Sequence, residues 1–141
     1  MVQRVARAGV TVNGSTRVIS RGLLVLLGVG KSDDAEKAAW LAAKTANLRI
    51  FPNGEGKFDL SLLAVKGEAL VVSQFTLYGD CARGCRPDFG SAAPPEKAKP
   101  LYEAYVESLR SLGVQVKTGE FGAHMDVELL NDGPVTVLIE R

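Results

Sequence analysis

The order of the strand-like runs and of the two helical patterns limits most strongly how this chain folds. Strand-like runs come first, with a hairpin signal at Asn13-Gly14 and a fully apolar run at residues 23–30. A helical pattern follows, then a second apolar run from residue 69, a second helical pattern and the last strands. Grouped strands and helices of this kind indicate an α+β domain. We expect antiparallel sheets that form a barrel-like core with two flanking helices, in a single domain spanning residues 1–141.

Local signals predict where the elements begin and end. Asp33, with Glu36 three residues later, has the spacing of a capping box and predicts the start of the first helix. Pro100 is expected in the first turn of the second helix, where its missing N–H is not needed, and Gly113 suits the end of that helix. The run ALVVSQFTLY, residues 69–78, is predicted as one long strand.

The segment NDGP, residues 131–134, separates two apolar runs, MDVELL and VTVLIE. Asn-Asp-Gly predicts a hairpin turn between two strands, but proline at position 134 has no N–H for the returning strand. The residues alone leave two interpretations open. A trans proline ends the hairpin at an edge strand, or a cis Gly-Pro bond turns the chain tightly and points successive carbonyls into a pocket.

Composition excludes several classes of protein. The net charge is +1 and charged residues make up 23% of the chain, as in ordinary globular proteins. No run reaches the roughly 20 apolar residues of a membrane span, and the first residues lack the apolar core of a signal peptide, so we expect a cytoplasmic protein. Cys81 and Cys85 with one histidine, His124, do not match a four-ligand zinc site, and no phosphate-binding glycine loop is present. We expect neither a metal nor another cofactor.

Basic residues are distributed unevenly. The first 31 residues contain no acid and five basic residues, Arg4, Arg7, Arg17, Arg21 and Lys31, and a second group is formed by Arg83 and Arg86. Such groups can meet phosphates. Solvated strand faces explain the same pattern.

Side-chain chemistry alone does not reveal a catalytic set. Ser73, Thr76 and Thr136 lie in or near strand-like runs, and a hydroxyl nucleophile needs an adjacent base. Nothing in the sequence ties His124 to these hydroxyls, and no pair of carboxylates is apparent. Hydroxyls bonded to sheet neighbours explain Ser73 and Thr76 equally well.

Two motifs together resemble a known family. SQFTLY at residues 73–78 and NDGPVT at residues 131–136 are similar to the paired motifs of D-aminoacyl-tRNA deacylases. Further blocks resemble that family in order and spacing, namely VQRVARAGVTV, GLLVLLGVG, NLRIF, RPDFGSAAPPE and TGEFGAHMDVELL. The resemblance covers essentially the whole chain.

The resemblance implies a homodimer, with active sites at its interface, that hydrolyses the ester joining a D-amino acid to the 3′-terminal adenosine of tRNA. It implies that Gly133 and Pro134 form a cis peptide that reaches into the partner's pocket as a chiral filter. Thr76 and Gln74 are the implied catalytic residues. The implied substrate-binding residues, besides Gly133 and Pro134, are Ser73, Phe75, Phe89, Phe121, Gly122, Ala123 and Met125.

The resemblance also implies a mechanism with few reactive side chains. Main-chain carbonyls contact the substrate ammonium and crowd one side of its Cα, so that an L side chain collides while a D side chain or glycine fits. The terminal ribose 2′-hydroxyl assists attack, and the protein supplies positioning and oxyanion hydrogen bonds. Two alternatives remain at this point: a small-molecule esterase with Thr76 as nucleophile, and a non-catalytic tRNA-binding dimer.

Overall fold

Eight strands, two α-helices and one 3-10 helix make up the structure, a computed structural model that describes residues 1–141. The strands are β1 (Val2–Val12), β2 (Ser15–Ile19), β3 (Gly22–Leu27), β4 (Phe51–Pro52), β5 (Phe58–Leu60), β6 (Glu68–Ser73), β7 (Gln115–Thr118) and β8 (Asp126–Val137). The helices are α1 (Ala35–Asn47), the 3-10 helix Phe75–Tyr78 and α2 (Pro95–Ser111). Neither α-helix is long and apolar enough to cross a membrane.

One sheet runs in the order β2-β1-β3-β6-β7, and β8 pairs with the other edge of β1. The outer strands β2 and β7 also meet through side chains. Arg17 on β2 donates to the Thr118 carbonyl at 2.8 Å, and Lys117 on β7 donates to the Val18 carbonyl at 2.6 Å. These contacts bring the edges of the sheet together into a nearly closed, barrel-like layer, while β4 and β5 form a small separate sheet.

The predicted α+β class, with a barrel-like sheet and two helices, is confirmed. The expectation that all pairings are antiparallel is wrong for β6, which is parallel to both β3 and β7. The reason lies in the connections. α1 lies between β3 and β6 and α2 lies between β6 and β7, and a helical crossover is the usual link between parallel strands.

β3 and β6 are buried on both faces, which explains their continuous apolar runs. Side chains alternate between two packed clusters, as the period of a strand requires. Leu23 and Val71 pack with the two helices, whereas Leu24 and Leu70 face the barrel interior, which Val10 of β1 also fills. The central strands therefore form a rigid base, and the candidate site lies where β6 ends.

Both helix starts differ from the sequence-based expectation. Asp34, not Asp33, caps α1, because its carboxylate accepts from the Lys37 N–H at 2.9 Å. α2 begins at Pro95, so Pro100 lies inside the helix rather than in its first turn. Pro100 is exposed there, and helices tolerate the loss of one solvent-facing hydrogen bond better than a buried one. The expected glycine end is present, with Gly113 at φ +92°.

The predicted strand over residues 69–78 is too long, because β6 ends at Ser73 and residues 75–78 form the 3-10 helix. The neighbouring strand β3 determines where β6 ends. β3 ends at Leu27, whose carbonyl accepts the last bond, from the Gln74 N–H at 2.8 Å. Beyond that bond the SQFTLY motif turns out of the sheet.

The predicted hairpin at NDGP is also wrong. One strand, β8, runs through the segment, and both of its halves pair antiparallel with β1. The register shifts on either side of Val5, so that the residues between Asn131 and Thr136 bulge away from β1. A bulge accommodates a proline because the residues within it make no ladder hydrogen bond to the neighbouring strand.

Candidate active site

A cavity of about 580 Å³ opens at the end of β6. Its walls come from the end of β6, the start of the 3-10 helix, the segment that leads into α2, and the loop before β8. The structure brings together here eight of the residues expected from the sequence: Ser73, Gln74, Phe75, Phe89, Phe121, Gly122, Ala123 and Met125. Four distant parts of the chain thus converge on one concave surface.

The polar chemistry of this cavity is sparse. Only Ser73, Gln74 and His124 contribute polar side chains to a wall that is otherwise apolar. Thr76 does not itself line the cavity, but Gln74 does, and the Gln74 side-chain amide donates a hydrogen bond to the Thr76 hydroxyl oxygen. Because that oxygen acts as acceptor, the hydroxyl hydrogen is available to an incoming acceptor. The pair can therefore present one oriented donor beside the cavity.

Aromatic side chains form one wall of the cavity. Phe75 and Phe89 pack edge to face, with ring centroids 5.1 Å apart. Phe89 is held in place by a short pairing just before it, since Asp80 and Asp88 exchange two backbone hydrogen bonds of 2.8 and 2.9 Å. The loop that this pairing closes carries the two free, exposed cysteines.

Tyr78 anchors the 3-10 helix to the end of β3. Its ring lies on the surface left open by Gly28 and Gly30. A Cβ at Gly28 would be 3.1 Å from the ring, and a Cβ at Gly30 would be 2.7 Å from the hydroxyl oxygen. Burial, with a further contribution from the Asp33 carboxylate, raises the pKa of Tyr78. The sequence analysis assigned no role to Gly28 and Gly30, so this positioning contact was missed.

Gly133 and Pro134 lie on the exposed bulge of β8, and the peptide bond between them is cis. Arg4 binds Asp132 within the bulge and thereby fixes its position. Its guanidinium is buried, pairs with the Asp132 carboxylate at 3.0 Å, and donates to the Ile50 carbonyl at 2.6 Å.

Asn131 fixes the bulge at its base. Its side-chain amide donates to the carbonyls of Arg4 and Val135, each at 2.9 Å. Neither Gly133 nor Pro134 lines the cavity of its own chain. The two sequence motifs therefore occupy different places on one subunit.

A model of the D-Tyr-tRNA(Tyr) deacylase family matches residues 1–140 of the chain. The chain belongs to this family. A D-aminoacyl-tRNA deacylase of Thermotoga petrophila is 57% identical over 141 residues, which are 99% of this chain and 95% of that protein. One from Roseiflexus castenholzii is also 57% identical over 141 residues, covering 99% and 90%. The family predicted from the sequence, and with it the enzyme class of deacylase, is confirmed.

Solved structures share the same fold. A structure described as c-Myc DNA unwinding element binding protein superposes with a TM-score of 0.92 at 41% identity, covering 99% of this chain and 96% of that chain. A structure of a probable eukaryotic D-amino acid tRNA deacylase superposes with a TM-score of 0.81 at 15% identity, covering 94% and 92%. The second likeness concerns the fold alone.

In this member of the deacylase family the basic residues near the N-terminus do not form one surface. Arg4 is buried under the bulge, Arg17 bonds to β7, and Arg21 lies over the Phe51 ring at 5.4 Å from its centroid. Only Arg7 and Lys31 of that group remain as exposed cations without such a partner. The charge pattern of the sequence thus reflects structural roles more than a phosphate-binding face.

Sequence reasoning also missed the two residues that hold the bulge. In the sequence, Arg4 was noted only as one of several basic residues near the N-terminus, and Asn131 was noted only as part of a predicted turn. A signal was present, since Arg4 lies within a run of mainly apolar residues, VQRVARAGVTV, that forms a strand. A charge in that position needs a specific partner.

Proposed function

We propose that this protein hydrolyses the ester bond of D-aminoacyl-tRNA and releases the free D-amino acid and tRNA. The observation that carries the proposal is the convergence of the SQF segment, Phe89 and the FGAHM segment on one cavity beside an oriented Thr76 hydroxyl. A volume of about 580 Å³ is in the range of pockets that hold small ligands. It suits an aminoacyl group together with part of its adenosine.

The reaction that we propose relies on positioning. A water molecule adds to the ester carbonyl, assisted by the free hydroxyl of the terminal ribose. The bond to the ribose oxygen then breaks, and that oxygen takes up the proton that the water gives up. The Thr76 hydroxyl donates to the carbonyl oxygen as negative charge develops there, while Gln74 keeps that hydroxyl oriented. No carboxylate, lysine or arginine side chain lines the wall, and its one imidazole, that of His124, is exposed and makes no hydrogen bond to Thr76 or Gln74. This favours the scheme over one with a protein base.

We further propose that Gly133 and Pro134 of one subunit close the cavity of the other and select for chirality. Their position outside their own cavity supports this, as does the firm support of the bulge by Arg4 and Asn131. The main-chain carbonyls of this bulge, held in fixed positions, contact the substrate ammonium and leave no room for an L side chain. Glycine has no side chain to exclude, so glycyl-tRNA passes the same filter.

The unpaired edge of β8 and the leucines exposed on it support a homodimer. This 12-residue strand pairs only with β1, so one long edge has no partner. It exposes Leu129 and Leu130, and Leu138 just beyond it is 62% exposed. Long apolar edges are normally covered, and a second subunit that covers this one also brings a second bulge. We place the reaction in the cytoplasm.

The test combines three assays. We expect release of D-tyrosine from D-tyrosyl-tRNA without added metal, little hydrolysis of p-nitrophenyl acetate, and sedimentation at twice the 15.0 kDa chain mass. Rapid p-nitrophenyl acetate hydrolysis that needs Thr76 would favour the small-molecule esterase. Binding of tRNA without turnover would favour the non-catalytic dimer, and a monomeric active species would exclude the cross-subunit filter.

A further inference from the structure

His124 is the one ionisable side chain in the wall of the candidate active site. It is also the only histidine in the chain. His124 is therefore the one side chain of this wall that can carry a positive charge, because a protonated imidazole is a cation and no other lining side chain is basic. The proposed reaction gives His124 no role.

The loop that carries His124 is fixed at both ends. The Gly119 N–H donates to the Val71 carbonyl at 3.2 Å, and the Glu120 N–H contacts the Met125 sulfur at 3.3 Å. Phe121 packs against Tyr102, with ring centroids 6.0 Å apart. His124 is thus displayed from an anchored loop at the rim of the cavity.

The imidazole itself has no firm partner. Its side chain is 95% exposed, and the nearest carboxylate oxygen, on Asp126, lies 3.9 Å from Nε2, beyond hydrogen-bond distance. Glu120 is the only other charged residue of the same loop. β6, the 3-10 helix and α2 place no charged side chain in the wall opposite. The imidazole is therefore free to bind a ligand group.

We propose that protonated His124 binds the phosphodiester that precedes the terminal nucleoside of the substrate. The inference rests on the proposed function, since it requires an aminoacyl ester at the end of a polynucleotide. The aminoacyl group fits the apolar interior, so the first negative charge of the polynucleotide arrives at the rim. His124 is the only wall residue that can meet that charge as a cation.

The test compares two substrates, D-tyrosyl-tRNA and D-tyrosyladenosine, which lacks a phosphodiester. The readout is the ratio of their KM values at pH 6 and pH 8 for the wild type, His124→Asn and His124→Lys. We expect His124→Asn to raise the ratio of the KM for D-tyrosyl-tRNA to the KM for D-tyrosyladenosine about threefold at pH 6. At pH 8 the substitution should leave this ratio unchanged. An effect of about threefold is within the range for an exposed pair of opposite charges. His124→Lys should keep the ratio low at both pH values.

The dependence of KM on salt concentration gives an independent readout, and the variant Lys66→Asn serves as a matched control. Loss of one phosphate contact to a single strand lowers the slope of log KM against log salt by about 0.7. Lys66→Asn removes a cation near the other end of β6, at a positive φ that asparagine tolerates, and should change neither ratio nor slope.

The inference is overturned if wild type and His124→Asn have the same KM ratio at pH 6, or if both substrates respond equally. If the wild type hydrolyses neither substrate, the proposed function fails and this inference falls with it. Normal hydrolysis of both substrates with no effect of His124 overturns this inference alone.

Discussion

At the scale of single residues, the hydroxyl of Thr76 decides between two chemistries. Gln74 donates to its oxygen, so the hydroxyl can serve as a hydrogen-bond donor to the ester carbonyl. As a nucleophile it would need a base that accepts its proton, whereas its hydrogen-bond partner Gln74 is a donor. Thr76 therefore acts through its hydrogen bond in the proposed mechanism.

Thr76→Ala should lower kcat by about 10²-fold, the usual effect of removing one oxyanion donor, and should leave measurable activity. Thr76→Ser keeps the hydroxyl and should retain most of the rate. Single-turnover assays with D-tyrosyl-tRNA measure both. Complete inactivity of Thr76→Ala, together with a covalent tyrosyl-enzyme in the wild type, would instead identify Thr76 as a nucleophile.

Arg4 links the stability of the fold to the proposed chiral filter, because it supports the bulge that carries Gly133 and Pro134. Arg4→Met removes its bonds to Asp132 and Ile50 and should lower the free energy of unfolding by about 2–4 kcal/mol. Because the bulge then loses its support, hydrolysis of L-tyrosyl-tRNA should rise relative to the D ester. Urea unfolding and paired deacylation assays measure the two effects.

Arg7→Met is the matched control, since Arg7 lies exposed on the same strand. It should change neither quantity appreciably. If Arg4→Met unfolds as easily as expected yet still rejects the L ester, Arg4 supports the fold without affecting chiral selection.

At the scale of elements, the 3-10 helix that carries Thr76 depends on the fit of Tyr78 over Gly30. Gly30→Ala places a methyl group against the Tyr78 hydroxyl and should displace this helix, lowering kcat more than KM. Tyr78→Phe removes that hydroxyl and should restore part of the rate in the double variant. We expect a coupling energy of about 1 kcal/mol in the double-mutant cycle. Additive effects would show that Tyr78 and Gly30 act separately.

The elements also show where sequence reasoning succeeds and fails. The apolar runs of β3 and β6 and the hairpin at Asn13-Gly14 follow from local pattern, and the structure contains them. The continuation of β8 through Asn-Asp-Gly as a bulged strand does not follow from local pattern, because the pairing of β1 with both halves of β8 overrides the turn preference of these residues. The parallel pairing of β6 follows from its helical connections to β3 and β7, which the expectation of antiparallel sheets did not take into account.

The candidate site follows the same division. The members of the cavity were found through whole motifs, which resemble a family, and not through side-chain chemistry. The sequence did not predict the roles of Tyr78, Asn131 and buried Arg4. Each of them acts through a contact with a residue that is remote in the sequence or through the space left by a glycine. Composition and spacing do not encode such contacts.

At the scale of the whole molecule, two buried tyrosines link stability to pH. Desolvation by burial raises the pKa of Tyr102 to about 12 and also raises that of Tyr105. Below about pH 10 the folded and unfolded states both keep these protons, so pH has no effect through them. Above pH 10 the unfolded state loses protons that the folded state retains, and the free energy of unfolding therefore falls.

We expect that free energy to fall by up to about 1 kcal/mol per pH unit for Tyr102 between pH 10 and 12. Tyr102→Phe removes this contribution, so its stability should fall less steeply over the same interval. Urea unfolding at several pH values from 8 to 12 measures both slopes. Equal slopes for the wild type and the variant would mean that Tyr102 ionises as readily in the folded chain as in the unfolded one.

The central claim concerns the assembled molecule, in which the bulge of one subunit is proposed to guard the cavity of the other. The most direct measurement is the hydrolysis of D-tyrosyl-, L-tyrosyl- and glycyl-tRNA, side by side and without added metal. Hydrolysis of the D-tyrosyl and glycyl esters, with the L-tyrosyl ester left intact, is the expected result. Hydrolysis of all three would contradict exclusion by Gly133 and Pro134, and hydrolysis of none would contradict the deacylase activity itself.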